Sequence, residues 1–391
     1  MRVALYHPWI YLRSGIERML VEMVTRSRHD WTLFTHRYVP ASTYPELAAL
    51  DVRPLVPGVS VRRSTGPLSR AAWTIATTRL PDVGAAALLV SSEGLGDLVL
   101  TRNHLPAVAY CHTPLKILHD PVTRRHLAEI DPSKHALARA LGPGFTAVDR
   151  RLWRRYAHAF ANSAEVARRL RAAGLHPRGA VEILHPGVDT TRFSPAVGPG
   201  VRRGLLVAGR IMWQKQIEIA IDAYRRIVEA AGTGPASEPL TIAGAVDEKS
   251  RPYLAALRER ATGLSVEFVV DPTDDDLVHR LRTARALVFT PPNEDFGMVV
   301  LEALACGTPV IAARAGGPVE ILRPDTGRLV DHSVEGFAAP MAAALTDDVA
   351  PAVHAAAVAR AREFGWDAFA RRIDDVMDAV ASGTDVGTGS P

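Results

Sequence analysis

Thr290-Pro291-Pro292-Asn293-Glu294-Asp295-Phe296-Gly297-Met298-Val299-Val300-Leu301-Glu302-Ala303-Leu304-Ala305-Cys306-Gly307-Thr308-Pro309-Val310 is the stretch on which the fold turns. Just upstream, Leu287-Val288-Phe289 reads as a buried strand that runs into a Pro/Asn/Gly turn. A helix opens near Gly297, runs to Ala305 and stops at Gly307, and Pro309-Val310-Ile311-Ala312 follows as a second strand. Such a strand–turn–helix–strand unit aims the free backbone N–H groups of the turn and first helical turn at a crevice ligand. Glu294 sits in the turn, and Glu302 about one and a half turns into the helix. Two carboxylates so placed can touch one elongated ligand at separated points, as polyol hydroxyls require. A glycosidase-like acid–base pair is the rival, although two positions at one helix entrance flank a single bond poorly. The third reading is a surface helix with two solvated glutamates. The spacing alone does not choose among them.

Strands and helices alternate on both sides of this unit, which argues for α/β architecture with parallel sheets. Arg2–Tyr6 is the first strand, and Glu17–Arg26 an amphipathic helix. Trp31–Thr35, Ala87–Ser91, Ala107–Cys111, Ala157–Ala161 and Val181–Leu184 continue the first series. Ser194–Gly200, rich in Pro and Gly, reads as an interdomain linker. The second series is Gly204–Ala208, Leu240–Ala243, Val266–Val270, Ala286–Phe289, Pro309–Ala312 and Arg328–Val330. A last helix is expected over about Ala368–Val380, with a disordered tail from 382 to 391.

With 391 residues and 47% apolar content, two domains are the default. Cys111 and Cys306 give neither a disulfide framework nor a metal spacing, which favours a reducing compartment. No leader-like charged and apolar pair of regions opens the chain. Runs such as Val83–Val90 fall short of the ~18 apolar residues that span a bilayer, so a soluble or at most peripheral protein is expected. The net charge of +4 is unevenly divided: residues 1–200 carry +11 (26 basic, 15 acidic) and residues 201–391 carry −7 (20 basic, 27 acidic). Much of the excess lies in Arg124, Arg125, Lys134, Arg139, Arg150, Arg151, Arg154 and Arg155. No aromatic-interleaved basic strand, zinc spacing or recognition helix accompanies this charge, which argues against nucleic acid.

Three further places could carry chemistry. In Val207-Ala208-Gly209-Arg210-Ile211-Met212-Trp213-Gln214-Lys215, two cations five residues apart straddle a strand end and a helix start. Arg offers a fork for two oxygens and Lys a mobile point charge, which suits a diphosphate; a pair of solvated surface cations is the plain alternative. In Arg13-Ser14-Gly15-Ile16-Glu17-Arg18, Gly15 can bring backbone amides close to a phosphate, or simply make a turn. His112, in Tyr110-Cys111-His112-Thr113-Pro114, ends a strand where crevice ligands bind in open sheets. Asp274-Asp275-Asp276 looks like an acidic metal motif but fits better as a dipole-favoured helix start capped by Thr273.

Asn293-Glu294-Asp295-Phe296-Gly297, followed by Glu302-Ala-Leu-Ala-Cys-Gly-Thr-Pro-Val-Ile-Ala, resembles the donor-sugar motif of retaining GT-B glycosyltransferases, family 4. The Arg210/Lys215 pair resembles that family's diphosphate-binding pair, and the Gly15 and His112 loops match two more of its motifs. Asn162-Ser163 and Val188-Asp189 resemble further landmarks with supporting roles. The resemblance covers most of the chain. It departs at Ser14, where the family has a first glycine, and at Gln216, where it has glycine after the lysine.

The resemblance implies two Rossmann-like domains facing across a cleft, with a helix from the C-terminal end crossing back to the first. The expected division is 1–195 for the acceptor domain, 201–365 for the donor domain and 366–381 for the crossing helix. It implies transfer of a hexose from a nucleotide diphosphate sugar to an acceptor hydroxyl, with retention, needing no cofactor and no metal. Arg210 and Lys215 would hold the diphosphate, and Glu302 the ribose hydroxyls. Glu294 and the Phe296, Gly297, Met298 and Val299 backbone would grip the sugar, with Gly15 and His112 contributing from the first domain. The Thr290–Val299 variant resembles mannosyltransferases, so GDP-mannose leads, with UDP-glucose, UDP-N-acetylglucosamine or a deoxysugar nucleotide as alternatives. The acceptor is open between a lipid-linked molecule, with the enzyme cytoplasmic or held peripherally at an anionic membrane, and a soluble natural product or small sugar. A sugar-nucleotide epimerase or phosphorylase-like enzyme of the same fold, and a catalytically silent binding module, are the other readings.

Overall fold

The computed structural model describes residues 1–59, 65–196, 201–230, 238–384 and 386. It resolves into two compact units, Met1–Pro186 with Trp366–Pro391, and Gly187–Gly365. The first contains β1 (Arg2–Tyr6), β2 (Asp30–Thr35), β3 (Asp51–Pro54), β4 (Ala87–Ser92), β5 (Ala107–Cys111), β6 (Tyr156–Ala161) and β7 (Val181–Ile183). They form one parallel sheet in the order β3-β2-β1-β4-β5-β6-β7. The second contains β8 (Leu205–Ala208), β9 (Leu240–Gly244), β10 (Val266–Val270), β11 (Ala286–Phe289), β12 (Val310–Ala313) and β13 (Gly327–Val330). Their parallel order is β10-β9-β8-β11-β12-β13.

Parallel strands covered on both faces are buried along their length and largely apolar, and the central strands obey this. Every residue of β4, β5, β8, β11 and β12 is buried. In each sheet the strand order reverses once, between β1 and β4 and between β8 and β11. Crevices at the carboxyl ends of strands beside such a reversal are where open α/β sheets bind ligands. The loops leaving β8 and β11 are those that carry Arg210, Lys215 and Glu294.

The division of the chain falls earlier than the expected 195/201 boundary. Val188 N–H donates to the Phe364 carbonyl at 3.0 Å, which ties the start of the second unit to its end. Residues 187–196 therefore belong with the sheet that follows, and part of the expected linker, residues 197–200, lies outside the described residues. The expected last helix runs over Trp366–Ser382 and is part of the first unit. Trp366, Phe369, Ile373, Val376 and Met377 are buried, and Phe369 stacks edge-on against Tyr110 of β5. Asp374 accepts from the Arg28 N–H at 2.9 Å, and Arg372 forms a two-pronged pair with Glu182 at 2.9 and 2.7 Å. Of the expected disordered tail, Ser382 is helical, and residues 385 and 387–391 lie outside the described residues.

Two buried carboxyls, Asp97 and Asp149, the latter on the helix Pro132–Trp153, give the stability of this unit an expected dependence on pH. Asp97 accepts from Ser92 Oγ at 2.7 Å and Tyr156 Oη at 2.6 Å, while both oxygens of buried Asp149 lack a hydrogen-bond partner. Burial, and then the charge of Asp97, push the Asp149 carboxyl up to about 9; burial raises Asp97 to about 6. A folded state that keeps a proton the unfolded chain gives up near pH 4 loses stability as pH rises from about 4 towards the folded value. Asp149→Asn removes that proton exchange. The stability of the variant relative to the parent should therefore climb steadily between pH 5 and 9 in urea unfolding. Parallel pH profiles for the two proteins would refute the assignment of the buried proton.

Candidate functional site

After β8 the chain turns at Gly209, whose φ of +131° suits glycine and above which a Cβ would meet nothing within 4 Å. That bare backbone leaves room for a ligand to approach. Gly244 is required below it, since a Cβ there would strike the Gly209 carbonyl. Arg210 follows, exposed and without an ion pair among the described residues. A short 3-10 turn, Trp213–Lys215, then presents Lys215, whose carbonyl accepts from Thr290 Oγ1 at 2.7 Å. Gln216 adopts φ +45°, the left-handed conformation glycine takes most easily, at a cost of ~1 kcal/mol. The position needs the glycine conformation even though it carries glutamine. A shallow recess sits here, lined by Gly209, Arg210, Lys215, Phe289, Thr290 and Pro291 among others.

The loop after β11 brings the second set of groups to the same place. Glu294 Oε2 receives Lys215 Nζ at 2.5 Å, with both side chains about one-fifth exposed. The ammonium also lies 5.5 Å from the centre of the Phe289 ring. Gly297 (φ +98°) caps the helix Met298–Ala305, and Val300 N–H returns to the Gly297 carbonyl at 2.9 Å. The amides of Met298 and Val299 therefore belong to the helix end that has no intrahelical acceptor. The Phe296 ring is buried against Phe364, which leaves its backbone as the part able to serve a ligand. Glu302 is half-buried in the helix.

Sequence reasoning missed what braces this loop. Gly317 N–H donates to the Glu294 carbonyl at 3.1 Å, and a Cβ on Gly316 or Gly317 would strike the Glu294 or Phe296 backbone. The Gly-Gly pair after β12 was the available signal. Asp274, Asp275 and Asp276 form the first turn of a helix, with Thr273 and Asp276 in a reciprocal capping box.

In the first unit, Gly15 begins the helix Gly15–Arg26, and Ser14 caps it by accepting from Ile16 N–H at 3.2 Å. The Ser14 hydroxyl also donates to Glu17, a buried carboxyl raised by burial. Serine in the family's first glycine position thus works as a cap. His112 lies at the end of β5, buried, with Nε2 on Ser91 Oγ at 2.9 Å and its carbonyl receiving Asn162 Nδ2 at 3.2 Å. Burial, and then nearby His7, hold its imidazole well below the usual histidine range, so it is neutral at pH 7. His7 in turn donates from Nδ1 to the Ser91 carbonyl at 3.2 Å. Neither Ser91 nor His7 stood out in the sequence.

Residues 13–192 match the family model described as Glycosyltransferase Family 4, and residues 198–364 match that of Glycosyl transferases group 1. A D-inositol 3-phosphate glycosyltransferase of Thermobispora bispora is 31% identical over 73% of this chain and 68% of that protein. The chain belongs to the family 4 glycosyltransferases of GT-B fold. Another relative of the same name, from Streptomyces bingchenggensis, is 33% identical over 75% of this chain, which spans only 65% of that protein's length. Among solved structures, the sucrose-phosphate synthase of Thermosynechococcus elongatus superposes with a TM-score of 0.73 at 17% identity, covering 98% of this chain and 100% of that one. Anabaena HepE in complex with UDP superposes with a TM-score of 0.72 at 17% identity, covering 97% of this chain and 100% of HepE. Among the described residues, no helix is long and apolar enough to cross a membrane.

Proposed function

We propose that this chain transfers a hexose from a nucleotide diphosphate sugar to an acceptor hydroxyl, with retention of configuration. The observation that carries the reading is the convergence of Gly209, Arg210, Lys215 and Glu294 at the β8/β11 reversal of strand order. A diphosphate laid over bare Gly209 meets an arginine fork and a lysine ammonium. Negative charge builds up on the leaving diphosphate as the glycosidic bond breaks, and fixed cations stabilise it there. This arrangement needs neither a metal ion nor another cofactor. Glu302 takes the ribose hydroxyls, and Glu294 with the amides of Met298 and Val299 takes the sugar. His112, neutral and held by Ser91, serves as a hydrogen-bonding group for a sugar hydroxyl, and Gly15 offers its helix-entrance amide.

The mannosyltransferase-like form of the Thr290–Val299 loop favours GDP-mannose as donor, whereas the UDP bound to HepE favours a uridine nucleotide. The relatives' name, D-inositol 3-phosphate glycosyltransferase, favours a polyol acceptor bearing a phosphate. Titration calorimetry with GDP and with UDP, each in EDTA, tests the reading and selects the base. One of the two should bind without metal. If neither does, the donor-site assignment falls.

A further inference from the structure

Exposed large apolar side chains are concentrated on two helices of the first unit, Pro121–Ile130 and Pro132–Trp153. Ile130 is 64% exposed, Leu137 42%, Leu141 64% and Val148 49%. On the longer helix, Leu137, Leu141 and Val148 are spaced by four and seven residues, which places them on one face. Its opposite side is committed to the core through Asp149 and Trp153. Water-facing leucines one turn apart serve no packing purpose inside this unit.

The surrounding charge is strongly one-sided. Residues 116–155 contain nine basic side chains (Lys116, Arg124, Arg125, Lys134, Arg139, Arg150, Arg151, Arg154 and Arg155) against four acidic ones (Asp120, Glu129, Asp131 and Asp149). Asp120 is buried in capping its helix, and Asp149 is buried in the core. Arg124, Arg125, Arg139, Arg151 and Arg154 are exposed and make no ion pair among the described residues. Elsewhere the surface arginines of this chain commonly find a carboxylate, as Arg2, Arg28, Arg168 and Arg260 do.

We infer that these two helices form a docking surface for an anionic lipid bilayer. Leu137, Leu141 and Ile130 enter the boundary between headgroups and acyl chains, while the arginines stay among the lipid phosphates. An apolar stripe flanked by unpaired cations is the pattern of helices that lie in a membrane interface, and each cation near an anionic surface adds to the attraction. A second copy of this chain fits poorly, because pairing the same face with itself would set the arginine clusters against each other. The surface acts independently of the donor site, whatever acceptor the enzyme uses.

The test is sedimentation of the full chain with vesicles of phosphatidylcholine alone or mixed with phosphatidylglycerol, at low and high salt. Binding should require the anionic lipid and weaken with salt. Leu137→Gln/Leu141→Gln and Arg124→Gln/Arg125→Gln should each lower the apparent vesicle affinity about ten-fold or more. Nucleotide binding should be unchanged in both variants, which shows that they fold and separates this result from the donor-site test. Failure to bind anionic vesicles, or equal binding by parent and variants, overturns the inference. So does a parent that is dimeric in solution and becomes monomeric in Leu137→Gln/Leu141→Gln, which would make the face an interface between copies.

Discussion

Lys215→Ala should weaken nucleoside diphosphate binding about ten- to a hundred-fold, the effect of removing a charge-assisted contact of ~1.5–3 kcal/mol. The backbone at this position survives the change, because Thr290 Oγ1 holds the Lys215 carbonyl and not its side chain. What changes is the charge. The ammonium that would meet the phosphate is gone, and the Glu294 carboxylate it had neutralised is left beside the phosphate site. Arg210 makes no ion pair among the described residues and acts on Asp247 only at longer range, so Arg210→Ala removes one contact and unmasks less negative charge at the site. Lys215→Ala should therefore be the more damaging of the two in calorimetry with the preferred nucleotide. Adding Glu294→Gln to Lys215→Ala should recover part of the lost affinity. Parent-like affinity in both single variants would mean that the diphosphate lies elsewhere.

That comparison depends on a contact between residues 79 apart in sequence, and this separates what the sequence discloses from what it conceals. The strands around both reversals were legible because each is an unbroken apolar run: Val3–Tyr6, Leu88–Val90, Leu205–Ala208 and Ala286–Phe289 bury every side chain. The helix at Gly297 was legible because glycine, a hydrophobic run and a closing Gly307 mark its ends. The strand Asp51–Pro54 was not, since it is an edge strand with mostly exposed side chains and a terminal proline. The helix Pro132–Trp153 carries Gly142, Pro143 and Gly144 inside it, residues that ordinarily end a helical pattern. Its exposed leucines also blur the periodicity that a core-facing helix would show.

Within the site, motif residues could be found one by one, but their pairing could not. Nothing local to Lys215 announces Glu294, because the parallel pairing of β8 with β11 sets the approach of their two loops. Gln216 was legible as a departure in side chain but not in its backbone. Its side chain departs from the family's glycine while its backbone keeps the glycine conformation. The capping role of Ser14 was visible in principle as Ser14-Gly-Ile-Glu17, a serine followed three residues later by glutamate.

Glu294→Gln should separate binding from turnover. The Glu294 carboxylate pairs with the Lys215 ammonium, so a diphosphate must take the lysine from it. Glutamine is nearly the same shape but holds the lysine without a full charge. Affinity for free GDP or UDP should therefore stay level or rise a few-fold. Once the lysine turns to the diphosphate, the proposed task of the freed carboxylate is to accept hydrogen bonds from sugar hydroxyls. A neutral amide accepts more weakly, and one charge-assisted bond of ~1.5–3 kcal/mol in the transition state corresponds to about a ten- to hundred-fold loss in kcat/KM. The nucleotide sugar should also lose its affinity advantage over the free nucleotide. Calorimetry with both ligands, alongside initial rates of donor consumption, reads all three quantities on one preparation. If Glu294→Gln instead abolished free-nucleotide binding, Glu294 would be holding the phosphate-binding loop in place, and its assignment to the sugar would be wrong.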